Sequence, residues 1–270
     1  MPEGDTIHRL AATLRRALGE GPVEAFVAPG VPGPLPLPGE RIEEIGARGK
    51  HLLLRFSGGA TLHTHLGMTG SWRVLRPGSP SRPFGGRPGR AAIVTTPRAT
   101  ALCRDAPTLE LLDDAGVRRH PQLTALGPDL CAPEVDLDEV LRRLDALVDP
   151  TTELGVVLLD QRPACGIGNV YRSEALWACG AHPLTPLAEV DADARRALYA
   201  TAHALLRANL DGFPRRTVPE GLAVYDRAGR RCRRCGETIR ARRLGEHART
   251  TWWCPGCQTG AGMQAREARA

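Results

Sequence analysis

Residues 158–177 read LLDQRPACGIGNVYRSEALW, and the meaning of this stretch decides how the rest of the chain is organised. A helical run of apolar residues ends near Gln161. Gly166 and Gly168 supply tight turns, and a new helix starts near Asn169. The first N–H groups of such a helix have no partner inside it, so they suit an anion, and the Asn side chain adds a donor. A plain corner between two helices accounts for the same residues, and the flanking sequence has to choose.

The flanks on both sides read as helices. DLDEVLRRLDALV (136–148) has Asp136 as a cap and apolar residues at helical spacing; TTELGVVLLDQ (151–161) is a second helix and GNVYRSEALWACG (168–180) a third. A long helix over 191–212 is capped by Asp191 and closed by Gly212. Before about residue 115 the pattern is different. KHLLLRF (50–56), ATLHTHL (60–66), SWRVL (71–75), AAIVTT (91–96), ATALC (99–103) and TLELL (108–112) are strand-like and separated by Pro- and Gly-rich turns. Two stretches poor in regular structure interrupt them, PGVPGPLPLPG (29–39) and RPGSPSRPFGGRPGR (76–90), the second with four arginines. Ahead of the strands, Ile7, Leu10, Ala11, Leu14 and Leu18 mark a helix that begins near Thr6, with Asp5 and Thr6 as capping residues. Three domains are therefore expected: 1–115 mostly β behind a first helix, 116–220 helical, and a basic segment over 221–270.

That last segment carries four of the eight cysteines, as Cys232-x2-Cys235-x18-Cys254-x2-Cys257. Each C-x-x-C turns two thiolates toward one tetrahedral ion, and the insert is long enough for a β-hairpin that joins the pairs. The pattern predicts one structural Zn(2+). Nine arginines face three acids between Asp226 and Arg249, which suits phosphate contacts, although a solvated charged face remains the alternative. The other four cysteines, Cys103, Cys131, Cys165 and Cys179, read as buried thiols.

Across 270 residues the net charge is +6, which fits a polyanionic partner but is a weak signal by itself. Of 36 basic residues only Lys50 is lysine. Lysine gives up its proton more readily than arginine, so its position matters. No apolar run approaches the length that crosses a bilayer, and the start lacks a basic-then-apolar signal, so a cytoplasmic location is expected. The chain opens Met1-Pro2-Glu3. Read structurally, Pro2 enters a helix. Read chemically, removal of Met1 makes Pro2 a secondary-amine nucleophile with a carboxylate next to it.

MPEG (1–4), RGKHLLLRF (48–56), HTHLGMTGSW (63–72), LLDQRPACGIGNVYRSEAL (158–176) and C-x2-C followed by RTTWWCPGCQ (249–258) occur in this order. Together they resemble the formamidopyrimidine-DNA glycosylase/endonuclease VIII family of base-excision repair enzymes. The resemblance spans essentially the whole chain. It implies a multi-domain α and β fold: an N-terminal helix plus β-sandwich, a helix-two-turn-helix domain and a C-terminal β-hairpin zinc finger. It implies that Pro2 attacks the sugar C1′ carbon and that Glu3 serves proton transfers, with Lys50 approaching the DNA backbone near the lesion. Asn169 and Arg249 match the family's phosphate-gripping residues, and Met68 a wedge that fills the vacated base stack; ordinary core packing is the other reading of Met68. The implied partner is double-stranded DNA with oxidised bases or abasic sites, met by a monomer. The 8-oxoguanine branch carries an Asp-Pro-Arg-Arg-Phe-Gly loop where this chain has DDAGVRRHPQ (113–122), and position 6 is Thr6 where many relatives have glutamate. Both departures point to the endonuclease VIII branch and to oxidised pyrimidines.

Overall fold

The computed structural model describes residues 2–19, 21–76 and 91–259. Met1 and all but the first residue of the arginine-bearing stretch at 76–90 lie outside the described residues. The chain divides into two compact units, Met1–Ala125 and Leu126–Ala270.

The first unit opens with helix α1, Gly4–Leu18. It starts two residues before the expected Thr6, because Glu3 rather than Asp5 or Thr6 is the N-cap, and Glu3 and Thr6 form a capping box. Strands β1 (Ala25–Val27), β2 (Ile42–Arg48), β3 (His51–Phe56), β4 (Thr61–His65), β5 (Ser71–Leu75), β6 (Ala91–Thr95), β7 (Thr100–Arg104) and β8 (Thr108–Leu112) follow. They form two four-stranded antiparallel sheets, ordered β1-β6-β7-β5 and β2-β3-β4-β8. Ile7, Ala11, Leu14 and Leu18 of α1 enter one core with Leu52, Leu54, Phe56 and Leu62 of one sheet and Val94, Ala101 and Cys103 of the other. Full burial of each such Leu or Ile side chain contributes about 1.5–3 kcal/mol, which makes the helix part of the sandwich rather than an appendage.

Six strands coincide with the strand-like stretches, while β1 and β2 escape the periodicity. In β2, IEEIGAR carries two consecutive acids and a register shift between Ile42 and Glu44, so its inward residues do not alternate. DDAGVRRHPQ, treated as a replaced loop, folds into two short helices, α2 (Asp114–Arg119) and α3 (Pro121–Ala125), the first capped by Asp113.

In the second unit, α4 (Leu137–Leu147) is capped by Asp136, whose side chain accepts the Glu139 N–H at 2.9 Å. The expected helix over 151–161 shrinks to α5, Leu154–Val157. Its opening N–H groups are taken by another segment, Leu154 bonding Thr185 O and Gly155 bonding Pro183 O, and the following residues tighten into turns. Gly166 makes the predicted turn with φ +111°, a backbone conformation that side chains disfavour. Helix α6 runs Asn169–Ala178 and α7 Ala192–Ala208. Asp191 caps α7 as expected, but the helix stops before Asn209 instead of Gly212. The Asn209 amide bonds Leu205 O and Arg216 O and accepts the Arg216 N–H, each at 2.8 Å, so a side chain ends the helix. β9 (Arg240–Leu244) and β10 (Arg249–Trp253) pair as an antiparallel hairpin. No helix among the described residues is long and apolar enough to cross a membrane.

Candidate active site and nucleic-acid interface

Pro2 sits half-buried ahead of α1, and Glu3 is fully buried at its N-cap. The partial positive charge at a helix start favours a carboxylate there. The Glu3 N–H reaches the Thr6 hydroxyl at 3.4 Å, and that hydroxyl donates to Asp5 at 3.2 Å. Asp5, itself buried, is held by Arg9 at 3.0 Å. Thr6, the departure from the common glutamate, thus supports the backbone of the residue beside Pro2.

Lys50 lies in the tight turn between β2 and β3, two strands against which α1 packs. His51 pairs with His65 at the end of the β3–β4 ladder. The Lys50 turn and the turn after β4 therefore leave the sheet at the same end. The second turn carries Met68, whose surface is 70% exposed, so Met68 is not core packing. The turn is fixed by Gly67, where a Cβ would lie 2.6 Å from Pro107, and by the Thr69 hydroxyl on Asp105 O at 2.8 Å.

In the second unit, Asn169 is the first residue of α6 and Arg249 the first of β10. A residue the sequence reading passed over joins them. Arg172 is fully buried; its Nη2 donates to Asn169 Oδ1, to Thr250 O at 2.7 Å and to Arg249 O at 3.5 Å, and its Nη1 to Gly155 O at 3.0 Å. With Oδ1 committed to Arg172, the polar group left on Asn169 is its NH2, a donor, which is the polarity a phosphate needs. Glu174, five residues on from Asn169 and fully buried, accepts from the Thr217 hydroxyl and, at 2.7–2.9 Å, from the N–H groups of Ala223, Val224 and Tyr225. It fastens the connection between α7 and the hairpin to the helix that carries Asn169.

The four paired cysteines converge. All four sulfurs lie within 4.8 Å of one another, Cys235 to Cys254 at 3.3 Å and Cys232 to Cys257 at 3.8 Å, and none is in a disulfide. Tetrahedral bonds of about 2.3 Å to one ion place sulfurs roughly 3.8 Å apart, so the cluster could hold a metal. The thiols compete electrostatically. Burial and the neighbouring Cys235 push Cys254 up to about 11, and burial with three neighbouring thiols pushes Cys257 up as well. Burial also opposes ionisation of Cys232, but the N–H groups of Arg234 and Cys235 outweigh it and bring that thiol down to about 6. Four thiolates at these distances need a cation between them. The Gln258 amide braces the knuckle, accepting the Cys254 N–H and donating to Ala181 O, each at 2.8 Å.

The formamidopyrimidine-DNA glycosylase N-terminal domain matches residues 1–108, and the formamidopyrimidine-DNA glycosylase H2TH domain matches residues 126–214. "Probable endonuclease 8 2" of Streptomyces coelicolor is 41% identical over 269 residues, 96% of this chain and 95% of that protein. The chain belongs to the formamidopyrimidine-DNA glycosylase/endonuclease VIII family. "DNA-(apurinic or apyrimidinic site) lyase Nei2" of Mycolicibacterium smegmatis is 37% identical, covering 96% of this chain and 99% of that protein. "Endonuclease 8" of Klebsiella pneumoniae is 36% identical over 272 residues. Among solved structures, the Lactococcus lactis Fpg bound to DNA with an abasic site has the same fold, with a TM-score of 0.78 at 22% identity over 95% of this chain and 99% of that one. The sandwich, the helical domain and the four-cysteine hairpin are thus those of the formamidopyrimidine-DNA glycosylase/endonuclease VIII fold. Within this family member, Arg172 and Glu174 are the residues the sequence reading missed. No local pattern marks them: only the structure shows that α6 is buried on all sides, so that an Arg and a Glu inside it must be satisfied internally.

Proposed function

We propose that this chain is a bifunctional DNA glycosylase/AP lyase of base-excision repair, with Pro2 as nucleophile once Met1 is removed. The observation that carries the reading is family membership along the whole chain, with Pro2 and Glu3 retained at the head of a helix built into the sandwich core. The Pro2 nitrogen bonds to C1′ as the C1′–base bond breaks, and the proton it sheds leaves with the base. Opening of the sugar, with a proton delivered to its ring oxygen, leaves an iminium between Pro2 and C1′. A secondary amine gives an iminium that is charged at every pH, and that charge acidifies the C2′ hydrogen. Loss of this proton expels the 3′ phosphate, and a second elimination expels the 5′ phosphate. Glu3 is the proposed proton carrier, Lys50 a backbone contact at the lesion, and Met68 the plug that offsets an unstacking cost of about a few kcal/mol. Asn169 and Arg249 are the proposed phosphate grip, and duplex DNA with oxidised pyrimidines or abasic sites the substrate, met by a cytoplasmic monomer.

Glu3→Gln tests the proton assignment while keeping the size of the cap. Single-turnover excision of thymine glycol is expected to fall by about 10²-fold or more. Cleavage of a ready-made abasic site, where the aldehyde is already available, should fall less than tenfold. Equal losses on the two substrates would remove Glu3 from base release. A second reading, a lyase with little base excision, is favoured by the name of the Mycolicibacterium relative, an apurinic or apyrimidinic site lyase. Rates on thymine glycol, 5-hydroxycytosine, 8-oxoguanine and abasic duplexes, measured side by side, separate the two.

The ion proposed for Cys232, Cys235, Cys254 and Cys257 is one Zn(2+), whose chemistry is structural: with four protein ligands it has no open position. Few apolar residues pack around the knuckle besides Trp177, Ala223, Val224 and Ile239, so the hairpin depends on the ion. Chelation is expected to release one zinc per chain and to open 232–257 to proteolysis. DNA affinity should drop at least tenfold while the sandwich core stays folded. Freshly purified protein that is active and zinc-free would refute the assignment.

A further inference from the structure

The outward face of the β2-β3-β4-β8 sheet carries a cluster of imidazoles that the proposed chemistry has not used. Strand register places His51 beside His65, and His63 beside Glu110. His63 is fully buried and His51 is 7% exposed, whereas an outward sheet face normally keeps such groups in water. The segment joining α2 and α3 brings His120 over them.

One backbone contact fixes the tautomers of His120, His63 and His51 in turn. The Leu123 N–H points at His120 Nδ1 at 3.2 Å, so Nδ1 carries the lone pair and Nε2 the hydrogen. His120 Nε2 then donates to Glu110 Oε1 at 2.8 Å. The same oxygen lies 2.7 Å from His63 Nδ1, which must donate to it, leaving the lone pair on His63 Nε2. That nitrogen is 2.8 Å from His51 Nδ1, which must therefore carry a hydrogen. The chain ends at His51 Nε2 with a lone pair. The assignment also argues against a cation at His63, Glu110 and His120, although their ligand atoms are close enough for one. Binding through His120 Nε2 would require a hydrogen on Nδ1, where the Leu123 N–H already points.

We propose that His51, His63 and Glu110 form a proton relay that takes up, through water, the proton lost from C2′ in the elimination step. The proposal rests on the reading that Lys50 stands at the reaction centre. A proton arriving at His51 Nε2 forms one N–H bond there. The Nδ1 hydrogen passes to His63 Nε2, breaking one N–H bond and forming another. The positive charge ends on His63 against the Glu110 carboxylate, and the reverse sequence returns the proton to solvent. The groups facing the relay are Arg48 and Lys50 from the β2–β3 hairpin, His65 from β4, Glu110 from β8 and His120. Burial, then the neighbouring imidazoles and Lys50, hold His51 itself down to about 3, so the proton does not rest there. Burial lowers His63 as well, but hydrogen bonding and charge from Glu110 oppose it, which makes His63 the resting place.

Glu110→Gln is the test, because it keeps the shape of a partly exposed side chain and removes only the charge. Single-turnover cleavage of an abasic duplex is followed from pH 4 to 9, because burial holds His63 below the ordinary imidazole range. Cleavage needs the relay unprotonated, so the rate rises with pH through its apparent pKa. Glu110 stabilises the imidazolium and raises that pKa. In Glu110→Gln the acid limb should therefore move about one pH unit lower, with a plateau roughly tenfold down, while DNA affinity holds within twofold. Glu110→Asp should restore the limb. A rate lowered by one factor at every pH, with the midpoint unmoved, would make the cluster merely structural and overturn the relay. A second zinc per chain that disappears in Glu110→Gln would overturn it in favour of a metal site. Nitrogen-15 spectra of the imidazoles give a readout independent of activity: hydrogens on Nδ1 of His51 and His63 are expected, and hydrogens on their Nε2 would refute the relay. Wild-type protein that forms no borohydride-trapped complex would instead sink the Pro2 mechanism and leave those spectra to decide the relay.

Discussion

Protein that retains Met1 is expected to shift an abasic duplex in a gel like the processed form, yet to give no covalent complex on borohydride reduction. In retained protein the nitrogen of Pro2 is an amide, whose lone pair is delocalised into the carbonyl and cannot attack C1′. The start of α1 is expected to survive, because Glu3 and Thr6 form its capping box. Pro2→Gly is a second probe. Its primary amine can still form an imine, but that imine loses its proton as pH rises, so the C2′ hydrogen is less acidified and strand cleavage should fall by about 10²-fold or more. The two variants must be verified by mass spectrometry, since incomplete removal of Met1 mixes both species. Wild-type cutting by verified Met1-retaining protein would show that Pro2 is only a helix entry, the plainer reading of the opening residues.

Why that opening was ambiguous follows from its physics. A helix start and an amine nucleophile both favour a proline followed by a carboxylate, and only motifs far along the chain favour the second. The sandwich strands were legible because HLLLRF and TLHTH place apolar residues on a buried face. β2 was not, since its consecutive acids and register shift hide the inward residues. The same strands concealed the imidazole cluster: alternation marks His63 and His65 as outward, but it does not reveal that α2 and α3 cover that face. In the second unit Asp136 and Asp191 announced their helices through cap chemistry that is local in sequence. The shortening of α5 depends on Pro183 and Thr185, partners some 30 residues away, which no local pattern contains. Asn169 was legible as a donor at a helix start, whereas the group that aims it, Arg172, looked like an ordinary charged helix residue.

Arg172 is accordingly the residue whose loss should do most damage after Pro2. Arg172→Met keeps much of the side-chain volume and deletes the donors. Gly155 O, Thr250 O and Asn169 Oδ1 then lose a buried partner, each at a cost of about 1–3 kcal/mol. The second unit should be several kcal/mol less stable in urea, and the freed Asn169 amide can turn its oxygen, an acceptor, toward the phosphate. Excision should therefore fall by more than DNA affinity does, because a nucleotide that is not gripped outside the helix seldom reaches Pro2. The pair with Asn169→Ala should be strongly non-additive, since once Arg172 no longer aims the amide its removal costs little more. Arg249→Ala acts differently. It removes a cation, so the slope of log affinity against log salt should become shallower by roughly 0.9, on damaged and undamaged DNA alike. Asn169→Ala, a neutral change, should leave that slope unmoved. Arg243→Ala, an exposed arginine of β9, should at most lower the slope without a matching loss in excision. If Arg249→Ala and Arg243→Ala coincide in both readouts, or if Arg172→Met and Asn169→Ala simply add, the buried guanidinium is a structural tie alone. Asn169 and Arg249 would then belong to a basic surface and not to a grip.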